Sequence, residues 1–157
     1  MDEKYMQEAI DLANENAKNN FKDGGPFGAI IVDKKGNIIG RGKNSVVRNH
    51  DATAHAEIMA IRDAGKNIGS FDLDGTVIYT SCYPCPMCMA AILWASIDKI
   101  YYANTKDDAA SIGFNDSAFY DMIESNTYED VEIKQMSRYD ALKVFEEYKN
   151  NEERMEY

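Results

Sequence analysis

TVIYTSCYPCPMCMAAILWASIDKIYYA, residues 76–103, carries two short apolar strand patterns with a helix pattern between them. Residues 76–80 and 99–103 are rich in β-branched and aromatic side chains, which predicts two strands. Residues 86–95 predict a helix, because Pro86 is well suited to the first helical position. Strand, helix and strand in this order favour a parallel strand pair, so the stretch indicates an α/β domain.

The segments upstream of this stretch extend the alternation of helices and strands. Apolar residues recur every three or four positions in residues 2–20, which predicts an amphipathic helix. Two β-rich runs, residues 27–32 and 37–42, are joined by a short turn with a glycine and predict an antiparallel hairpin. Residues 54–66 predict a second helix, with Thr53 as its N-cap.

The pattern is weaker after residue 104. It predicts helices over residues 107–112, 116–124 and 138–153, and a strand over residues 130–136. No repeat or linker interrupts the 157 residues. We therefore expect a single domain over residues 1–157.

The charge of the chain bears on its partners. The formal net charge is -10, and residues 116–157 contain twelve acidic against five basic side chains. A surface of this sign repels phosphate backbones, so we expect no nucleic-acid partner. The first residues lack the layout of a signal peptide, and no apolar run is long enough for a membrane span. We expect a cytoplasmic protein with no membrane partner.

The three cysteines are clustered within seven positions, which is typical of a metal or catalytic site. Cys85 and Cys88 are three residues apart at the start of a predicted helix, where both thiols can reach one ion. His55 falls in the first turn of another predicted helix, so two helix starts are expected to converge on the metal. Cys82 forms a second C-x-x-C with Cys85 and is an alternative thiolate ligand.

Two kinds of zinc site fit these residues. A fourth ligand from Cys82 predicts a closed, structural site, whereas three ligands leave a position for water, as in catalytic sites. Glu57 favours the open site, because a carboxylate beside the metal can act as a base. The residues alone leave both alternatives open.

His55-Ala56-Glu57 followed by Pro84-Cys85-Pro86-Met87-Cys88 is the H-x-E and P-C-x-x-C signature of zinc deaminases. At these residues the chain resembles the cytidine deaminase superfamily, and within it the small bacterial guanine deaminases. The resemblance runs almost end to end and is carried by residues 24–29 (GGPFGA), 53–57 (TAHAE), 79–82 (YTSC), 84–88 (PCPMC), 94–95 (WA), 113–114 (GF) and 156–157 (EY).

The resemblance implies a fold and a chemistry. The fold is an α/β/α sandwich of three layers around a five-stranded mixed sheet. One zinc ion is held by His55, Cys85 and Cys88, and Cys82 is not a ligand. Glu57 transfers protons during hydrolytic deamination, which converts guanine to xanthine and ammonia in purine catabolism or salvage. Asp116 assists proton transfer to the departing amino group.

The resemblance also implies the substrate contacts and the assembly. The contacts with a small nucleobase come from Phe27, Asn44, Ala56, Trp94 and Tyr157. The chain is expected to form a homodimer in which residues 138–157 are exchanged between subunits, with Tyr157 closing the partner's site. In one departure from the pattern, Tyr83 stands where many members have Glu in Cys-Glu-Pro-Cys.

Two other activities share these motifs. Enzymes that deaminate guanosine, or adenosine in a tRNA loop, also carry the Gly-Pro-Phe-Gly, His-Ala-Glu and Pro-Cys-x-x-Cys features. The acidic C-terminal third disfavours tRNA, and a lid at Tyr157 disfavours a ribose. A zinc-binding module without catalysis is a further alternative, but such a site has no need of Glu57.

Overall fold

The computed structural model describes residues 3–157. Within them it forms helices and strands in this order: α1 (Glu3–Lys18), β1 (Gly28–Val32), β2 (Ile38–Lys43), α2 (Val46–Asn49), α3 (Ala56–Ile68), β3 (Val77–Cys82), α4 (Pro86–Trp94), β4 (Lys99–Asn104), α5 (Lys106–Ser111), α6 (Asp116–Ser125) and α7 (Arg138–Asn150). The chain divides into two compact units, of which the first ends at Asp121 and the second comprises residues 122–157.

The strands of the first unit form one mixed sheet in the order β2-β1-β3-β4. β1 is antiparallel to both β2 and β3, whereas β3 and β4 are parallel and are connected through α4. The predicted hairpin and the predicted parallel pair are therefore confirmed. Parallel neighbours need a crossover connection, and the helix that follows the cysteine motif provides it.

Helices cover both faces of this sheet. Ile30 and Val32 of β1 pack with Tyr5 and Ala9 of α1 on one face. On the other face, Ala29 and Ile31 belong to the cluster that includes the following residues of α3, α4 and β3: Ala56, Ala60, Ala64, Ile92 and Ile78. Every residue of β1 is buried because it is covered on both sides. The expected three-layer α/β/α architecture is confirmed.

The expected number of strands was wrong, because the sheet has four strands within residues 3–157 rather than five. Residues 130–136, where a strand was predicted, are in neither a helix nor a strand. The alternation of Val131 and Ile133 with charged residues matches strand propensity, but Ile133 is 71% exposed. Propensity makes a strand only where a neighbouring backbone is available for pairing.

Helix boundaries differ from the predictions by at most three residues. Residue 2, the predicted start of the first helix, lies outside the described residues, and α1 ends at Lys18. α3 begins at Ala56, and its N-cap is His55 rather than Thr53. The short helix α2 was not predicted. None of the helices within residues 3–157 combines the length and the apolar character that crossing a bilayer requires.

Two glycines let α3 lie directly on the backbone of β2. A Cβ on Gly42 would overlap the carbonyl oxygen of Ala56 and the amide nitrogen of Ala60, and one on Gly40 would overlap the carbonyl oxygen of Ala60. This close approach fixes where α3 begins above the sheet. It therefore also fixes His55, the residue before Ala56.

The second unit contains α7 and a tail that folds back on the end of this helix. The hydroxyl of Tyr148 donates to the carbonyl oxygen of Met155 at 2.7 Å. The guanidinium of Arg154 donates to the carbonyl oxygen of Lys149 at 3.0 Å and pairs with Glu156 at 2.9 Å. These contacts anchor residues 151–157 to α7.

We expect Gly42→Ala to destabilise the protein by about 1–3 kcal/mol, because the added methyl group overlaps helix backbone that has little room to move. Arg41→Ala changes a neighbouring exposed side chain and is expected to alter the free energy of unfolding by no more than about 0.5 kcal/mol. Urea unfolding followed by circular dichroism measures both variants. Equal stability of the two would contradict direct packing of α3 on β2.

Candidate active site and metal centre

Two helix N-termini bring the predicted metal ligands together. His55 is the N-cap of α3, and Cys85 is the N-cap of α4, with Cys88 in its first turn. The Nδ1 atom of His55 lies 3.4 Å from the Sγ atom of Cys85 and 3.5 Å from that of Cys88. All three ligand atoms lie within 4.8 Å of one another, so these residues are placed to bind one metal ion.

The spacing of these atoms fits zinc. Tetrahedral zinc with Zn–S of about 2.3 Å and Zn–N of about 2.0 Å separates its ligand atoms by about 3.5–3.8 Å. The distances from His55 to the two sulfur atoms, 3.4 and 3.5 Å, are close to that range. One imidazole and two thiols are also a donor set that zinc prefers over harder cations.

The two thiols differ in protonation because one donates to the other. A hydrogen bond from the Cys88 thiol, together with a smaller effect of His55, lowers the pKa of Cys85 to about 4. The same hydrogen bond raises the pKa of Cys88, which keeps its proton. The hydrogen bond with Cys85 raises the pKa of His55. Cys85 is therefore a thiolate at neutral pH, the form that binds metal.

Cys82 lies apart from this cluster. Its thiol donates to the carbonyl oxygen of Thr105 at 3.7 Å. Burial raises the pKa of Cys82 to about 11, so it stays protonated at neutral pH. Within residues 3–157, the group that can hold a metal consists of the three residues expected for an open site.

Glu57 lies beside the ligands, in the first turn of α3. The backbone of His55 is extended rather than helical, so a side chain two positions later can face the same space. The Glu57 carboxyl group is buried, and this burial raises its pKa. The hydroxyl of Thr80, in β3, lies 3.1 Å from the Oε1 atom of Glu57 and fixes its orientation. A buried carboxyl group with a raised pKa is suited to accepting and returning protons near neutral pH.

A cavity opens beside Glu57, with about 380 Å³ of space that includes the solvent at its mouth. The lining comprises Phe27, Asn44, His55, Glu57, Cys82, Tyr83, Cys85, Phe114 and Asp116. Six of these nine residues are among the predicted site residues. The rings of Phe27 and Phe114 meet edge to face, with centroids 4.9 Å apart.

Asn44 is held by hydrogen bonds of both its side chain and its backbone. Its Oδ1 atom accepts hydrogen bonds from the backbone amides of Gly25 and Val46, each at 3.2 Å. Its own backbone amide donates to the carbonyl oxygen of Phe27 at 3.0 Å. A side-chain amide oxygen has two acceptor sites, and both are used here. Asn44 therefore offers the cavity the Nδ2 group, which is a hydrogen-bond donor.

Asp116 lies at the edge of the cavity as the first residue of α6. Burial raises the pKa of Asp116, and the nearby Cys85 thiolate raises it further. Negative charge in the cavity therefore favours the protonated form of this carboxyl group.

Three predicted substrate contacts are outside the lining of this cavity. Ala56 is buried as the first residue of α3. Trp94, the last residue of α4, is 69% exposed. Tyr157 is 80% exposed and belongs to the second unit.

The sequence did not predict the contacts that Lys106 and Tyr120 make near Tyr83. The ammonium group of Lys106 lies 5.1 Å from the ring centroid of Tyr83 and 4.7 Å from that of Tyr120. The hydroxyl of Tyr120 donates to the carbonyl oxygen of Pro84 at 2.7 Å. The sequence marks Tyr83 only as a departure from the family pattern. No local signal links it to residues more than twenty positions away.

We expect Cys82→Ser to keep one zinc ion per chain, because Cys82 is hydrogen-bonded outside the ligand cluster. Cys85→Ser is the matched control and is expected to lose most of the metal, since it removes a thiolate ligand. Elemental analysis of the purified variants measures both. Loss of zinc from Cys82→Ser would show that Cys82 is a ligand.

Comparisons with known proteins find similar deaminases. A guanine deaminase from Bacillus subtilis (strain 168) is 42% identical over 156 residues, which cover 99% of this chain and 98% of that protein. An X-ray structure of guanine deaminase from Bacillus subtilis matches 100% of this chain and 99% of its own, with 41% identity and a TM-score of 0.92. A structure of guanine deaminase from Nitrosomonas europaea matches 71% of this chain and 63% of its own, with 31% identity and a TM-score of 0.66.

A different activity occurs among the relatives as well. A tRNA-specific adenosine deaminase from Haemophilus influenzae is 36% identical over 129 residues, which cover 82% of this chain and 72% of that protein. Residues 1–104, which contain all three metal ligands, match the family model of the cytidine and deoxycytidylate deaminase zinc-binding region. The chain therefore belongs to the cytidine and deoxycytidylate deaminase family.

Proposed function

We propose that this protein is a guanine deaminase, which hydrolyses guanine to xanthine and ammonia in purine catabolism or salvage. The observation that carries this proposal is the 42% identity to a guanine deaminase over 99% of the chain. The match includes the segment after residue 104, where the region shared by the whole family ends. The tRNA-specific adenosine deaminase from Haemophilus influenzae matches fewer residues, 129 against 156.

The side chains around the cavity have different roles in the proposed reaction. His55, Cys85 and Cys88 would hold a zinc ion, which would act as a Lewis acid and make water nucleophilic at neutral pH. Glu57 takes one proton from the attacking water and delivers it to the ring nitrogen, and then takes the second proton from the added hydroxyl group and delivers it to the leaving amino group. Thr80 keeps the Glu57 carboxyl group in place during these transfers. Asp116, at the cavity edge, assists proton transfer to the departing amino group.

Asn44 selects the base through its free donor. Guanine presents the acceptor atoms N7 and O6, whereas adenine places an amino group, itself a donor, where guanine has O6. Because the Oδ1 atom of Asn44 is occupied by two backbone amides, the side chain offers no acceptor to such an amino group. Phe27, braced by Phe114, supplies an apolar wall for the ring of the base.

The remaining contacts involve Ala56 and a second subunit. Ala56 contributes its main-chain amide, which a first helical residue does not use within its helix. The protein acts as a homodimer in which residues 138–157 are exchanged, so that Tyr157 closes the partner's site. Trp94 completes the base pocket from its position at the end of α4. This arrangement is supported by the exposure of Trp94 and Tyr157. The cytoplasm is the compartment, because the ligand thiols must stay reduced.

The relatives that act on tRNA define the main alternative. Their similarity supports a shared deaminase reaction, but the net charge of -10 disfavours a polyanionic substrate. A guanosine substrate would need room for a ribose beside the base. A zinc-binding module without catalysis does not explain why Glu57 is buried beside a cavity.

We expect the zinc-loaded protein to release ammonia from guanine and to be much slower with guanosine, adenine and cytosine. Glu57→Gln is expected to keep its zinc and lose at least about 99% of the turnover, because a general acid-base contributes about 10²–10⁴-fold. Ammonia release and elemental analysis provide the two measurements. Release from adenine or guanosine alone would overturn the assigned substrate. A Glu57→Gln variant that keeps more than about a tenth of the activity would contradict the role of Glu57.

We expect removal of residues 156–157 to impair guanine turnover or to admit guanosine, because the site loses its lid. Tyr139→Ala, which alters another exposed tyrosine of the second unit, is the control and is expected to keep the activity. A mixed dimer tests the exchange directly. Coexpression of the truncated chain with Glu57→Gln should restore about a quarter of the wild-type activity, because half of randomly formed dimers contain one intact site.

Light scattering establishes whether the proteins are dimers. If truncation changes neither the rate nor the substrate profile, Tyr157 is not a lid. If the truncated chain is impaired but coexpression restores nothing, the tail acts on its own subunit.

A further inference from the structure

Asn16 is a fully buried polar residue of α1 that the proposed chemistry does not use. Its Nδ2 group donates to the carbonyl oxygens of Gly25 and Asn44, each at 2.8 Å. Its Oδ1 atom has no hydrogen-bond partner among residues 3–157. Both contacts of this buried amide are therefore made through its donor end.

An unpaired buried oxygen destabilises the fold. An apolar residue of similar size would avoid that cost, but it would leave the carbonyl oxygen of Asn44 without the donor that Asn16 provides. The side chain is thus explained by what its Nδ2 group binds. What it binds is the backbone around the cavity residue Asn44.

The contacts form a closed ring of three residues. Asn16 binds the carbonyl oxygens of Gly25 and Asn44, and the amide of Gly25 in turn donates to the Oδ1 atom of Asn44. The position of Gly25 decides where that donor lies. Asn16 therefore fixes both the backbone of Asn44 and one of the two donors that orient its side chain.

The space around Asn44 supports the same conclusion. A Cβ on Gly24 would overlap both the Oδ1 atom and the carbonyl oxygen of Asn44. The Gly24-Gly25 backbone lies directly against this side chain, so a small displacement of the loop changes the direction of the Nδ2 group. A bond from α1 to the loop is a means of preventing that displacement.

We propose that Asn16 is a positioning residue that holds Asn44 with its Nδ2 group directed into the cavity, and thereby sets the affinity for the base. The proposal rests on the proposed function, because it takes Asn44 as the residue that contacts the base. Asn16 itself does not touch the substrate. Its loss should weaken binding while the chemical step is preserved.

Steady-state kinetics with guanine provide the first test. Asn16→Ala is expected to raise KM about fivefold, the equivalent of one ordinary hydrogen bond, and to change kcat less than about twofold. Asn16→Ser, which keeps one donor, is expected to give a smaller increase and carries the test if the alanine variant does not fold. A fall in kcat at constant KM would overturn the proposal.

Tyr5→Phe is the matched control. It removes another hydrogen bond from an α1 side chain to a backbone carbonyl, that of Tyr5 to Gly36 at 2.6 Å, at the far end of the helix from Asn16. We expect KM and kcat to remain within about twofold of the wild type, because that bond does not reach the cavity. An equal rise in KM for Tyr5→Phe would show that general loosening of α1 explains the effect.

A double-mutant cycle shows whether Asn16 acts through Asn44. In an Asn44→Ala background, Asn16→Ala is expected to raise KM no further, since the group that it positions is gone. An additive effect would show that Asn16 acts by another route and would overturn the proposal.

NMR spectra of the side-chain amides separate this proposal from the proposed function. The resonance pair of Asn44, assigned by its loss in Asn44→Ala, is expected to shift in Asn16→Ala and to stay in place in Tyr5→Phe. If wild-type protein released no ammonia from guanine, the proposed function would be wrong. The spectrum would still show whether Asn16 positions the side chain of Asn44. An unchanged Asn44 resonance in Asn16→Ala would overturn the proposal whatever the activity.

Discussion

The convergence of two helix N-termini is the constraint on which the site depends. His55 and Cys85 occupy N-cap positions with extended backbone, so their side chains project beyond the first turns of α3 and α4. The sheet sets both positions. The glycines of β2 let α3 lie on the strand, and the parallel pairing of β3 with β4 requires α4 to cross over between them. The metal ligands are thus placed by the packing of backbone on backbone.

The electrostatics of the site follow from this convergence. Helix N-termini carry partial positive charge, which favours the Cys85 thiolate. That thiolate in turn raises the pKa of Glu57 and of Asp116, in addition to the larger effect of burial on each. Three groups that can carry negative charge therefore surround one small space. A divalent cation at the His55, Cys85 and Cys88 cluster would offset their mutual repulsion.

Local sequence patterns predicted the features that depend on neighbouring residues. The cysteine spacing, the helix after Pro86 and the hairpin were all evident, because each is decided within about ten positions. The features that failed or were missed depend on distant partners. The strand over residues 130–136 needed a neighbouring strand, and Thr80 reaches Glu57 across 23 positions. No local pattern marks Asn16, since its partners lie 9 and 28 positions away.

This difference separates the residues proposed for the reaction from the residue proposed for recognition of the base. The metal ligands and Glu57 lie in two short motifs at helix starts, so the reaction is preserved wherever these motifs and the sheet are kept. Asn44 is instead oriented by Gly25, Val46 and Asn16, each on a different segment. A change at any of these can redirect its donor without touching the metal. Proteins of one family can therefore share a deaminase region and act on different bases, as the guanine and tRNA adenosine deaminases similar to this chain do.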